Sequence, residues 1–137
     1  MKLSVVTLIC TGYEEHYEPW VKKANEKIKV NHELIVVDNR PAIMEPLKPL
    51  ENVRIISAYE NRFQFEGRRL GAEAATGDYV WLTDCDDEFL EVPENLSFTE
   101  DLICFNYIAG DEDQEKKYLC DKAYPLSYTA KIGRAHV

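Results

Sequence analysis

Apolar residues fall on both parities along Leu3-Ser-Val-Val-Thr-Leu-Ile9, the pattern of a strand covered on both faces. Thr11-Gly12 ends it. From Glu14 to Lys29 the period lengthens: Trp20, Ala24 and Ile28 recur at i, i+4 and i+8, with acids at the start and Lys22, Lys23, Lys27 and Lys29 towards the end. That spacing predicts a helix whose charges suit its dipole and whose apolar stripe faces a core. Glu33-Leu-Ile-Val-Val-Asp38 reads as a second buried strand, and Val53-Arg-Ile-Ile-Ser57 as a third. Between them Pro41, Pro46 and Pro49 predict an irregular loop from Arg40 to Pro49. Gln64 to Ala75 reads as a helix closed by Thr76-Gly77 at its C-cap. Tyr79 to Leu82 is a fourth buried strand, which runs on into Asp84.

After Pro93, Asp101-Leu-Ile-Cys-Phe-Asn-Tyr-Ile108 and Gln114 to Cys120 read as paired strands about the turn Ala109-Gly-Asp-Glu-Asp113, whose acids are a solvated turn. Strand, helix, strand, strand, helix, strand in this order predicts an α/β fold: a mostly parallel, Rossmann-like sheet with flanking helices and a C-terminal β-hairpin.

Such sheets gather ligands outside the carboxyl ends of their strands, near the point where strand order reverses. Asp38 and Asp84 both end strands, so both are expected on that edge. The stretch Asp84-Cys-Asp86-Asp87-Glu88 adds four acidic groups within five residues. Carboxylates at that density repel, and they stay ionised readily only with water or a cation among them. Asp-x-Asp at a strand tip is one way to hold a hard divalent metal through oxygen; a solvated acidic turn is the plain alternative.

With 137 residues and 45% hydrophobic residues the chain is one folded domain. A net charge of −9 and a pI near 4.8 argue against nucleic-acid or anionic-membrane binding. An anionic ligand would therefore need a metal or specific arginines. Cys10, Cys85, Cys104 and Cys120 show no Cys-x-x-Cys spacing, which fits reduced thiols in a cytoplasmic protein. No stretch approaches a membrane span or a signal peptide.

Taken in order, four pieces resemble the amino-terminal half of a family 2, GT-A-type glycosyltransferase. These are Ser4-Val-Val-Thr-Leu8; Glu33-Leu-Ile-Val-Val-Asp38-Asn39; Asn61 through Gly67-Arg68-Arg69-Leu70-Gly71 to Ala75-Thr-Gly77-Asp-Tyr79; and Leu82-Thr-Asp84-Cys-Asp86-Asp87. The resemblance implies a donor site for a nucleotide-diphosphate sugar. In it Asp38 accepts hydrogen bonds from the nucleobase and Leu8 offers its backbone where the family has Pro or Thr. Arg68 offsets phosphate charge, Asp84 orients the ribose side, and Asp86, with Asp84, ligates Mn²⁺ or Mg²⁺. Arg69, where the family often has Asn, reads as a surface residue. The acceptor, whether glycan, lipid or protein, is not implied. The family's general base lies downstream of Asp-x-Asp, and no residue of this chain is assigned to it.

A nicotinamide-binding domain is disfavoured by the lack of Gly-x-Gly-x-x-Gly, and a sugar nucleotidyltransferase by the lack of a glycine-rich loop after the first strand. A calcium loop would need a glycine before a bidentate Glu. A receiver-like signalling module would need a lysine at a late strand end, and Ile108-Ala-Gly110 supplies none. A non-catalytic metal- or nucleotide-binding fragment stays open. Finally, Ile132-Gly-Arg-Ala-His-Val137 can be encoded as ATC GGA AGA GCA CAC GTC, which with TGA reads as a common sequencing-library adapter. The expectation is an incomplete nucleotide-diphospho-sugar-binding domain over 1–131, with 132–137 a non-native tail.

Overall fold

The computed structural model describes residues 1–89 and 92–97, and beyond them strands at Leu102–Cys104, Tyr107–Ala109, Lys116–Tyr118 and Lys131–Arg134. The first part runs β1 (Leu3–Ile9), α1 (Tyr17–Lys27), β2 (His32–Asp38), β3 (Val53–Ser57), α2 (Phe63–Ala74) and β4 (Tyr79–Leu82). β2 pairs with β1 and β3, and β1 also pairs with β4, all in parallel. The later strands are β5 (Leu102–Cys104), β6 (Tyr107–Ala109), β7 (Lys116–Tyr118) and β8 (Lys131–Arg134). The larger sheet has the order β3-β2-β1-β4-β8-β5, with β8 antiparallel to both neighbours. The α/β expectation with a mostly parallel sheet is met.

The parity of the strands explains the two-faced burial. Leu3, Val5 and Ile9 of β1, Leu34 and Val36 of β2, and Tyr79 and Trp81 of β4 pack on one side with Trp20, Val21, Ala24 and Ile28. Val6, Ile35, Val37 and Val80 face the other side, with Leu70 and Ala72 of α2 packed against them. Trp20, Ala24 and Ile28 are all buried, as their spacing required.

α1 begins later than the charge pattern predicts. Glu14–His16 form a 3₁₀ turn, and the α-helix proper starts at Tyr17. Pro19 explains this, because it has no N–H to donate one turn back to residue 15. The end of α2 also differs. Ala75 is already extended, with φ −64° and ψ 136°, and Gly12 rather than Gly77 has a positive φ. Gly77 is therefore no left-handed cap. A Cβ there would lie 2.7 Å from the Lys2 carbonyl oxygen and 2.8 Å from the Ser4 nitrogen, so the residue lets the chain cross close to the start of β1.

β6 and β7 pair antiparallel, Tyr107 opposite Tyr118, as the expected hairpin requires. The single strand expected over 101–108 is two, with β5 joining the larger sheet and β6 the pair. The turn acids Asp111, Glu112 and Asp113 lie outside the described residues.

Candidate donor and metal site

β4 stops pairing with β1 at Leu82, and the next residue fixes where the acids stand. Thr83 is buried. Its N–H donates to the Val6 carbonyl at 2.9 Å, and its hydroxyl does the same at 3.2 Å. Its carbonyl accepts from Thr7 Oγ1 at 3.0 Å, and its Oγ1 accepts from Trp20 Nε1 at 3.2 Å. Past the acids, Phe89 is buried between two indoles, with ring centroids 6.0 Å from Trp20 and 5.4 Å from Trp81. Lys27 Nζ donates to the Phe89 carbonyl at 2.7 Å. The acidic loop is thus strung between two buried anchors.

Within that loop the Asp87 N–H donates to the Asp84 carbonyl at 3.1 Å, closing a turn. The turn brings carboxylate oxygens of Asp84, Asp86 and Asp87 within 4.8 Å of one another. In water such a pair repels by on the order of 1 kcal/mol. Burial of one aromatic side chain contributes about 1.5–3 kcal/mol, so the anchors can hold the turn against its own charge. Asp87 is exposed, but its carboxyl has lost part of its hydration. That loss, followed by the fields of Asp84 and Asp86, pushes its pKa up to about 6. Burial, then the charges of Asp86 and Asp84, likewise push the Cys85 thiol up to about 12, so it stays neutral. Cys10 and Cys85 are both free thiols.

An octahedral Mn²⁺ or Mg²⁺ needs hard oxygen donors at about 2.1 Å, which places neighbouring ligands about 3–4 Å apart. Three exposed carboxylates already gathered this closely fit such an ion after a small contraction.

α2 carries Arg68 to the same place. Gly71 and Gly67 let the helix lie directly on the sheet: a Cβ on Gly71 would sit 2.3 Å from Val6 Cγ1, and one on Gly67 would sit 2.9 Å from Leu8 Cδ2. The buried Asn39 sets the helix entry. Its Oδ1 accepts from the Arg62 N–H at 2.8 Å, and its Nδ2 donates to Asn61 Oδ1 at 3.3 Å. Arg68 Nη2 then reaches Asp84 Oδ1 at 2.6 Å. Arg68 Nε is buried without a partner among the described residues. Arg69 points elsewhere and pairs with Glu66 and Glu73 on the helix surface, as expected of a surface residue.

Asp38 stands at the end of β2, opposite Ile9, on the same sheet edge as Asp84. Its partner is Arg40, the first residue of the proline-rich loop. Arg40 donates through Nε to Asp38 Oδ1 at 2.8 Å and through Nη2 to Oδ2 at 3.1 Å. Hydrogen bonding to Asp38, against the opposing effect of burial, raises the Arg40 pKa above its ordinary value. The i, i+2 spacing of Asp38 and Arg40 was the available signal, since extended chain puts such side chains on one face. Leu8 packs its side chain under α2 near Gly67, so the role the resemblance implies falls to its backbone. The structure therefore joins Arg68 to Asp84, and Asp84 to Asp86. It brings Asp87 alongside the expected metal pair of Asp84 and Asp86 and leaves Asp38 engaged with Arg40.

Residues 7–117 match the family described as "Glycosyl transferase family 2". The chain belongs to that family. Among solved structures, that of S. aureus TarS 1-349 is similar with TM-score 0.52 and 22% identity, over 64% of this chain and 28% of that one. A second S. aureus TarS crystal structure gives TM-score 0.46 and 20% identity, over 64% of this chain and 17% of that one. The first likeness shows a shared fold, and this chain spans little more than a quarter of that relative. Curated proteins give no match. Among the described residues no helix is long and apolar enough to cross a membrane.

Proposed function

We propose that this family 2 chain binds a nucleotide-diphosphate sugar through a divalent cation, Mn²⁺ or Mg²⁺, and so supplies the donor side of a glycosyl transfer. The observation that carries the reading is the cluster of Asp84, Asp86 and Asp87, held at the carboxyl end of β4 with Arg68 bonded to Asp84. In an acidic protein a diphosphate needs local positive charge, and this corner of the sheet combines cation ligands with a forked donor suited to oxygen anions.

Asp86, Asp84 and Asp87 would hold the ion, which when bound supplies Lewis-acid stabilisation of charge on a departing nucleoside diphosphate. Arg68 adds a donor whose Nε has no competing protein partner among the described residues. Asp38 accepts from the nucleobase, and the Leu8 backbone lies beside it on β1. The acceptor would approach from beyond these residues.

The test titrates UDP and GDP into the protein with and without Mn²⁺, then repeats this with Asp86→Ala. Metal-dependent nucleotide binding that the variant loses is the expected result. Metal binding with no nucleotide binding would overturn the reading in favour of an incidental acid cluster.

A further inference from the structure

We propose that Arg40 is a positioning residue for nucleobase recognition, fixing the Asp38 carboxylate in the orientation from which it accepts hydrogen bonds; this rests on the donor-site reading above. The Arg40 side chain is only 5% exposed, too deep for an incidental surface pair. An arginine taken from water that far is stable only where its donors are matched. Here they are. Besides its two bonds to Asp38, Nη2 donates to the Glu45 carbonyl at 2.7 Å and Nη1 to Glu14 Oε1 at 3.4 Å. Glu14 in turn accepts from the Gly12 N–H through Oε2 at 2.8 Å, at a backbone φ of +91°. One guanidinium thus joins the tip of β2, the turn after β1 and the proline-rich loop.

The consequence for Asp38 is geometric. A carboxylate on a strand tip turns about its own bonds, whereas a two-pronged contact with a planar fork fixes its plane. Each oxygen has two acceptor positions, and the fork uses one on each, so the remaining positions keep a set direction. A carboxylate held this way favours a base that presents a ring N–H, as uracil and guanine do. It disfavours cytosine and adenine, whose corresponding ring nitrogen is an acceptor. Lysine cannot reproduce the fork although it keeps the charge.

The experiment measures UDP, GDP, CDP and ADP binding in Mn²⁺ by calorimetry for the wild type, Arg40→Met and Arg40→Lys, with pyrophosphate as the base-free control. Both variants should lose roughly tenfold of the discrimination between ring-N–H bases and the others, the scale of one charged hydrogen bond misplaced. Pyrophosphate affinity should stay within about twofold, which a general loosening of the fold would not allow. If Arg40→Met does not fold, Arg40→Lys and Glu14→Gln carry the test, the latter losing part of the discrimination.

Unchanged discrimination in a folded variant overturns the inference, as does a uniform loss that includes pyrophosphate. A wild type that binds all four nucleotides equally overturns it while leaving the donor-site reading standing. A wild type that binds no nucleotide overturns both.

Discussion

Glu33 on β2 and Asp87 in the loop after β4 are carboxylates at opposite ends of the same sheet, and their surroundings run in opposite directions. Glu33, near the start of β2, accepts from Ser4 Oγ at 2.6 Å, the Thr76 N–H at 2.7 Å and Thr76 Oγ1 at 2.8 Å, with Lys2 Nζ 3.4 Å away. Partial burial alone would raise its pKa, but those hydrogen bonds and the Lys2 charge outweigh it and hold the group near 2. Asp87 has lost part of its hydration and faces two more acids, which lifts it to about 6. At one end the fold satisfies an acid and uses it to tie β1, β2 and the turn after α2 together. At the other it gathers acids that oppose one another. A charge left in that condition is poised for something the protein itself does not supply.

The sharpest way to break this contrast is to add a cation. Mn²⁺ at about 100 times its dissociation constant should raise stability by about 2.7 kcal/mol, read as a shift in Tm. The gain should shrink as pH falls through about 6, because the proton that Asp87 then takes competes with the ion. A gain that is the same at pH 5 and pH 7.5 would remove Asp87 from the site.

Glu33→Gln should cost about 2 kcal/mol at neutral pH, measured by urea unfolding, with no effect on Mn²⁺ binding. The sign follows from the depressed pKa. The stabilisation is complete above about 4.5 and is lost as pH falls towards 2, so wild type and variant should converge in acid.

Asp87→Asn should have the smallest effect and the opposite sign. The folded-state pKa is raised, so ionised Asp87 opposes folding above about 6, and the opposition fades as pH falls towards the ordinary carboxylate range. The metal-free variant should therefore show a slightly higher Tm at pH 7.5 and none of the gain near pH 4. A lower Tm at pH 7.5 would mean that Asp87 makes a contact worth more than its charge costs.

The four parallel strands were legible because each is a compact apolar run, and burial on both faces leaves little else such a run can be. The shared edge of Asp38 and Asp84 followed from strand direction alone. Local geometry was harder to read. Pro19 decides where α1 begins through a hydrogen bond that cannot form, which periodicity does not register. Gly77 looked like a cap and proved to be a crossing point, a fact that depends on Lys2 and Ser4 far back in the chain. Arg40 was hidden for a similar reason: one of its partners is 26 residues away. For Asp87 the spacing is silent: consecutive residues 86 and 87 converge with Asp84 only because the Asp87 N–H closes a turn onto the Asp84 carbonyl.

The two glycines under α2 set a height. With nothing but hydrogen at positions 67 and 71, the helix axis rides lower over β1 than any side chain there would allow, since Val6 Cγ1 already lies 2.3 Å from the missing Cβ of Gly71. Arg68 hangs from that axis. Its reach to Asp84 is therefore calibrated from below, by the thickness of the layer between helix and sheet. In this fold the separation of opposite charges at the donor corner is a mechanical dimension, and even a single methyl would act on it as a shim.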